Sequence, residues 1–364
     1  MRVLLIGLFF MASTIGATAQ TLQSSLGDLT LTRIASGFKT PWAIGFLPEN
    51  QFLVTERRGR LYLVDPNGSK YRISGLPNVE AEGQGGLLDV LVPGDFAITQ
   101  NIFMTFAKKQ PRGSGTAVAR ARLDVNKRAL TEVETIFEIA EGSSGGRHFG
   151  SRIAEGPDGS LYVTIGDRGD RPSAQNLATH NGSVLRIAKS GEAVDGNPFT
   201  GGTSAQAEIW SYGHRNPQGM AFDQSGRLWA VEHGARGGDE VNLVRRGKNY
   251  GWPVIAYGRH YSGGKIGEGT RKAGMEQPEH FWDPSIAPSG LMVYEDDLFD
   301  EWQGDIFIGS LKFDYISRLS GANLTEVEAL KSAETKRVRD VRQAPDGTIW
   351  FISEDRGAIF QISR

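Results

Sequence analysis

The strongest constraint on the fold of this 364-residue chain is a phrase that recurs along it. A turn of Pro, Asp and Gly leads into a short strand rich in aromatic and branched residues, and a polar turn follows. The clearest copies are FLPENQFLVTERRGRLYLVD (46–65), GPDGSLYVTIGDRGD (156–170), FDQSGRLWAVEHGAR (222–236) and APDGTIWFISEDRGAIFQI (344–362). Weaker copies, VPGDFAITQNIFMTF (92–106) and YEDDLFDEWQGDIFIGSL (294–311), bring the number to six. Hairpins repeating in steps of this size point to propeller blades, which usually take about 40–50 residues each. The longer steps leave room for insertions at 189–206 and 254–285. One four-stranded blade cannot bury both faces, but a ring of blades can, and ring closure hides the sheet edges. The expected fold is therefore all-β: a six-bladed β-propeller of four-stranded antiparallel blades, with LTLTRIA (29–35) completing the last blade beside AIFQIS. A pair of β-sandwiches is the alternative. The repeat favours the propeller because it runs through the chain without a linker or a shift in composition. No long amphipathic helix interrupts it, and the 47 glycines have no period, which suits many tight turns.

Candidate chemistry concentrates in residues 208–253, EIWSYGHRNPQGMAFDQSGRLWAVEHGARGGDEVNLVRRGKNYGWP. IWSY, MAF and LWAVEH read as strands. The loops between them carry His214, Arg215, Asn216, His233, Arg236, Asp239 and Glu240, more polar function than turning a chain requires. A solvated loop region of an all-β domain is the plainer alternative.

The N-terminus reads as a secretory signal. Arg2 precedes the apolar run VLLIGLFFMA, and Ala17-Thr18-Ala19 forms a cleavage site. Residues 1–19 are expected to be removed, leaving 20–364 as one catalytic domain in the periplasm or outside the cell. The apolar run is too short to span a membrane, and no longer one follows. Loss of Arg2 takes the formal charge from −2 to −3, with no basic tract, so no nucleic-acid partner is expected. Export would permit disulfides, yet the chain has no cysteine and must rely on its core.

Several local motifs have two readings. GQGG (83–86) is either a flexible turn or a loop that presents Gln84 to a ligand. GSSGG (142–146) matches G-x-S-x-G but lacks the strand before and the helix after that a nucleophile elbow needs. His148, flanked by glycines at the mouth of a strand, could act as an acid or base near neutral pH. Asp167, ending the next strand, could return to the same sheet edge and orient it; a surface histidine beside a turn aspartate is the alternative. No G-x-G-x-x-G opens a helix and no His or Cys cluster offers zinc ligands. GARGGDE could offer calcium its backbone carbonyls and the Glu240 carboxylate, without the regular EF-hand spacing. Arg215, Lys312, Arg337 and Arg339 could converge on the axis of a ring and attract an anion, or stand as independent surface charges.

Taken together, GQGGLLDV, GRHFGSRI, TIGDRGD, EIWSYGHRNPQGMAF, VEHGARGGDEVNL, GKNYGWP, GSLKFD and RVRDV resemble the soluble pyrroloquinoline quinone (PQQ)-dependent glucose/aldose sugar dehydrogenases. The match is nearest the bacterial periplasmic aldose sugar dehydrogenase branch and covers nearly all of the mature chain in order. The resemblance implies a six-bladed propeller that oxidises the C1 hydroxyl of an aldose to a lactone, using PQQ and calcium. It implies His148 as general base, Asp167 as its support, and Gln84, Arg215 and Asn216 around the quinone carbonyls and substrate. Lys312, Arg337 and Arg339 match the cations on the cofactor carboxylates. Gly234 and Ala235 match the carbonyl ligands of the calcium beneath PQQ, Glu240 and Tyr250 match ligands of a further, structural calcium, and Tyr261 matches a pocket-lining position. The expected partners are an aldose and a periplasmic electron acceptor, and the protein is expected to be a monomer.

The chain departs from the glucose-specific members of the family. Arg147 stands where they carry an acid, Ala235 replaces a proline, Asp283 replaces a pocket aromatic and Arg171 replaces an amide. Carbonyl ligation tolerates such changes, but sugar preference does not carry over, so a broad or different aldose range is expected. Two rival readings are a calcium-dependent lactonase or hydrolase on a propeller, and a non-catalytic sugar-binding propeller. The first would want an acidic cage, whereas the candidate pocket residues are cationic and amide-bearing.

Overall fold

A computed structural model of the protein describes residues 20–202 and 204–364. The expected signal segment, 1–19, lies outside the described residues. The strands form six antiparallel sheets. Their innermost strands are Pro41–Phe46, Leu87–Leu91, Ile153–Glu155, Pro217–Phe222, Pro288–Val293 and Val338–Gln343, here numbered blades 1 to 6. Each inner strand touches the next, and blade 6 touches blade 1, so the ring is closed. Blades 1 to 5 have four strands each. Blade 6 has five: Gly27–Ser36 pairs with the C-terminal strand Ala358–Ser363, with Leu31 opposite Ile362, and Gln20–Ser24 then covers its edge. The two chain ends are thus joined in one sheet, which buries edges that an open ring would leave unpaired.

Every copy of the repeated phrase falls across the turn between the first and second strands of a blade. Side-chain hydrogen bonding explains why Asp and Gly recur there. Asp158 Oδ1 accepts from the Ser160 N–H at 3.0 Å, and Asp346 Oδ1 accepts from the Thr348 N–H at 3.1 Å. In each turn the intervening glycine, Gly159 (φ 76°) or Gly347 (φ 78°), adopts a backbone conformation that side chains disfavour.

The second strands, such as Leu161–Ile165 and Ile306–Ser310, are buried at every position because both faces meet neighbouring blades. Aromatic residues seal these faces. Trp350 of blade 6 meets Phe46 and Phe52 of blade 1 edge-on, at 5.2 and 5.0 Å between ring centres. Tyr162 of blade 3 meets Phe222 of blade 4 at 5.0 Å. Each such pair is worth about 0.5–1.5 kcal/mol beyond the area it buries. The insertion expected at 189–206 lies between the third and fourth strands of blade 3, and that expected at 254–285 lies mostly between those of blade 4 but runs on through the fourth strand. The second carries residues 245–279 across the ring face before the outer strand His280–Trp282.

Four charged side chains close the ring's interior. Arg152 Nη1 lies 3.1 Å from both Asp89 and Asp340, and Arg342 reaches the same two carboxylates at 3.0 Å. Asp89, Asp340 and Arg342 lie on the inner strands of blades 2 and 6. Arg152 immediately precedes that of blade 3 and stacks on Trp42 of blade 1. Arg152, Asp89 and Asp340 are at most 1% exposed. Burial raises the Asp89 carboxyl above its ordinary pKa, opposed by the two arginines.

Candidate active site

Trp42 and Leu88, in front of this ion cluster, form part of the wall of an axial pocket of about 190 Å³. The pocket is also lined by Gln84, His148, Arg215, Asn216, His233, Tyr261, Arg337, Arg339 and Arg57. Of the residues expected to gather around a ligand, from 84 to 339 in the sequence, all but Lys312 therefore meet in this pocket. Among the described residues no carboxylate lines this pocket.

His148 is placed by two glycine-rich loops packed together. Gln84 N–H donates to the Gly146 carbonyl at 2.8 Å, and Gln84 Oε1 accepts from the His148 N–H at 2.7 Å. A Cβ on Gly83 (φ 59°) would lie 2.2 Å from the Gly146 carbonyl oxygen, so GQGG is a docking surface as well as a turn. His148 itself has φ 53°, an uncommon conformation for a side-chain-bearing residue and one held here from several sides. Its Nδ1 lies 2.6 Å from Asp167 Oδ1. Asp167, fully buried, also accepts from Gly169 N–H at 2.7 Å and, through Oδ2, from Trp252 Nε1 at 2.8 Å. Burial alone would raise the Asp167 pKa, but these bonds hold it below the ordinary carboxylate value. The Asp167 carboxylate therefore keeps the proton on Nδ1 of neutral His148 and leaves Nε2 as a free base. Burial, with Arg215 and Arg147 nearby, lowers the His148 pKa, against the opposing pull of Asp167.

Trp252, within GKNYGWP, carries no local sequence sign of this contact, because 85 residues separate it from Asp167. Arg168 carries none either. That side chain is buried, stacks 3.4 Å from the Phe149 ring centre and donates to the Arg147 and Ser114 carbonyls. It forms no ion pair among the described residues, and burial lowers its pKa to about 10. Arg168 thus pins the carbonyl that precedes His148.

Arg337 and Arg339 are held side by side by Glu354, through Nε at 3.2 and 2.7 Å. SEDRG contains this carboxylate, which the sequence does not distinguish from a surface acid. Arg215 lies over the Trp252 ring and donates to the His233 and Gly234 carbonyls. Its Nε is buried without a partner among the described residues, an unused donor in a cationic pocket. Asn216 Oδ1 accepts from Gly150 N–H at 3.2 Å. Lys312 is placed differently: it lines an adjoining cavity that shares His233 and Tyr261 with the axial pocket. Tyr261 is 68% exposed at the junction of the two.

Gly234, Ala235, Glu240 and Tyr250, expected in two calcium sites, all line one small cavity of about 20 Å³ together with Glu232. That volume suits about one water-sized occupant. Glu240 and Glu232 share Asn242 Nδ2, at 3.4 and 3.1 Å, while Asn242 Oδ1 is buried without a partner. Burial and the neighbouring Glu232 raise the Glu240 pKa well above the ordinary value. Two buried carboxylates and an idle amide oxygen fit a hard cation with oxygen ligands. The Tyr250 hydroxyl is already committed to Leu243 and Arg245, which leaves that residue only its backbone carbonyl as a ligand. His214, in the same motif as Arg215, is structural: it stacks on Tyr250 at 4.5 Å and bonds Glu232 and Ser211.

A closed six-bladed propeller with a half-buried histidine on a buried aspartate and four arginines around its axial pocket defines an acid–base site built to receive an anionic ligand. Residues 38–361 match the family model described as Glucose / Sorbosone dehydrogenase, and the chain belongs to that family of oxidoreductases. It is 42% identical over 332 residues to the aldose sugar dehydrogenase YliI of Escherichia coli, covering 89% of this chain and 90% of that protein. The crystal structure of the soluble aldose sugar dehydrogenase from Escherichia coli in its apo-form superposes with a TM-score of 0.88 at 39% identity, over 92% of this chain and 99% of that one. The PQQ-bound aldose sugar dehydrogenase of Streptomyces coelicolor gives 0.76 at 27% identity, over 95% and 98%. Among the described residues no helix is long and apolar enough to cross a membrane.

Proposed function

We propose that the protein is an exported, PQQ- and calcium-dependent aldose dehydrogenase that oxidises the C1 hydroxyl of an aldose to the lactone. The observation that carries this reading is the half-buried His148 held by the buried Asp167, opening into a pocket walled by arginines. The PQQ-bound relative of the same architecture supports the choice of cofactor.

When bound, PQQ polarised by calcium supplies the acceptor for the hydride that leaves C1. The protein's own residues do the rest. His148 Nε2 takes the hydroxyl proton, and Asp167 stabilises the imidazolium that results. Arg337 and Arg339, aligned by Glu354, would hold the cofactor's carboxylates together with Arg57 and Lys312. Arg215 and Asn216 orient its carbonyls and the sugar, and Gln84 keeps His148 in place. Gly234 and Ala235, which also line the cavity that holds Lys312, would hold the catalytic calcium there through their carbonyls, and Glu240, Glu232 and the Tyr250 carbonyl would hold the structural one in the small cavity. Residues 1–19 act as the export signal.

Reconstitution tests the reading. Apoprotein is mixed with PQQ and calcium, and reduction of an artificial dye is followed with a panel of aldoses. Dye reduction that needs PQQ, calcium and sugar together is expected, and His148→Ala should abolish turnover while PQQ still binds. Absence of PQQ binding would overturn the reading and leave lactone hydrolysis as the activity to assay.

A further inference from the structure

The insertion of blade 4 lays a small hairpin beside the pocket, and its charges are arranged unusually. Arg236 and Arg259 exchange backbone hydrogen bonds at 3.1 and 3.2 Å, and a second isolated antiparallel bridge sets Arg259 opposite Lys265. Residues directly opposite in antiparallel pairs project to the same face, so three cations stand in a row across it. Like charges so placed are destabilising without a counter-charge. Among the described residues, none of the three forms an ion pair; Lys265 Nζ reaches only the Glu268 carbonyl, at 2.5 Å. All three are exposed.

The row belongs to the ligand-binding face. Arg236 and Arg259 line the cavity of about 710 Å³ that also holds Lys312, and this cavity shares His233 and Tyr261 with the axial pocket. Its wall contains one carboxylate, Asp283. The hairpin tip is anchored across the ring by Arg171, which donates to His260 Nδ1 at 2.8 Å and has no carboxylate partner among the described residues. The cofactor carboxylates are already matched by Lys312, Arg337 and Arg339, so the cations of the row are surplus to that duty.

We propose that this row is an anion subsite for the substrate, and that the enzyme favours aldoses carrying a carboxylate or phosphate at the end remote from C1. The proposal rests on the aldose dehydrogenase reading. It keeps the same reaction and adds a recognition element: paired guanidinium groups bind such anions through two parallel hydrogen bonds, and the net cationic cavity attracts them over distance.

Two measurements test it. In the first, glucuronate, glucose 6-phosphate and glucose are titrated calorimetrically into apoprotein, wild-type and Arg236→Gln/Arg259→Gln. The anionic sugars should bind wild-type protein at least tenfold more tightly than glucose, and the double variant should lose that advantage. In the second, kcat/KM is measured on PQQ- and calcium-loaded protein. The ratio for the anionic sugar to that for glucose should fall at least tenfold in the double variant, and in wild type it should shrink as salt rises. The preferred anion separates a uronic acid from a sugar phosphate. An unchanged ratio together with an unchanged binding preference would overturn the proposal. So would a double variant that loses electron transfer to an acidic redox protein while keeping its preference for anionic sugars, since the row would then serve a protein partner. If loaded protein oxidises no sugar, the dehydrogenase reading fails, and the calorimetric arm alone decides whether anionic sugars bind at the row.

Discussion

Asp167→Asn removes one charge from the centre of the site with almost no change in shape. In the native protein His148 Nδ1 and Gly169 N–H converge on Oδ1, and Trp252 Nε1 donates to Oδ2. An asparagine has one acceptor oxygen for these two sides. With its oxygen toward His148, the amide NH₂ confronts the Trp252 N–H inside a fully buried site, and an unpaired buried donor costs about 1–3 kcal/mol. With its oxygen toward Trp252, the NH₂ confronts His148 Nδ1. That nitrogen must then accept, the proton moves to Nε2, and the base is lost. Loss of the correct tautomer in a buried carboxylate–histidine pair lowers turnover by about 10⁴ in the best-studied case. The expected fall in kcat is therefore about 10³–10⁴, or about 4–5.5 kcal/mol in the barrier. The pH profile carries a second signature. His148 already titrates below the ordinary histidine value, and Asp167 is one of the groups that raise it. The acid limb of kcat/KM in the wild type should thus lie below about pH 6.5, and the residual activity of the variant should hold to lower pH still. Dye-reduction kinetics from pH 4 to 9, with PQQ affinity measured separately, would check both. A loss under tenfold, or an acid limb displaced upward, would refute the assignment of His148 as a base held by Asp167.

Three further predictions concern stability. Arg152→Met leaves Asp89 and Asp340 buried with only Arg342 between them, so the free energy of unfolding in denaturant should fall by about 3–5 kcal/mol; a change under about 1 kcal/mol would show that the cluster is not an ion pair in effect. Calcium should raise the thermal midpoint of the wild type, by the equivalent of about 2.7 kcal/mol at a hundredfold excess over its dissociation constant. Glu240→Gln should remove the structural site's share of that increment, and a variant stabilised by calcium as much as the wild type would move that site elsewhere. His233 is pushed down to about 3 by burial, with Arg215 and Arg339 adding to the effect. Its unfolded form binds a proton that the folded form refuses between pH 6.5 and about 3, so this group lowers stability as pH falls through that window. The stability difference between pH 7 and pH 4 should shrink in His233→Gln, and an equal difference in the two proteins would count against that burial.

The six-bladed architecture was legible because its signal is local. Each Asp–Gly turn and the strand behind it specify one hairpin, and six hairpins with both faces apolar have few ways to cover one another besides a ring. The closure strand at 29–35 was legible as a strand with alternating buried and half-exposed positions, beginning with Leu29, Thr30, Leu31 and Thr32, and with no other edge to complete. The expectation of four strands in every blade missed the extra strand Gln20–Ser24, whose short polar sequence pairs only because blade 6 offers it an edge. At the site, the sequence marked His148, Asp167 and the late arginines by their position at strand mouths. Their partners Trp252, Arg168 and Glu354 gave no such sign, since a buried indole, an unpaired arginine and a turn glutamate have the same local sequence whatever they touch.

What the chain determines by itself is the set of hairpins, their number and the polar residues at their mouths, because turn chemistry and strand burial act over a few residues. Only the tertiary structure decides which mouths share the axis. It brings Gln84 against Gly146, sets Trp252 on Asp167, and folds both expected calcium sites into one cavity beside Glu232. It also turns Arg236, Arg259 and Lys265, scattered among other basic residues in the sequence, into a row on one face. Those relations depend on how separate loops pack: Gln84 meets His148 64 residues on and Trp252 meets Asp167 85 residues back, while the calcium cavity and the cationic row come from the folding of blade 4's loops onto one another, and no periodicity within a single hairpin encodes either.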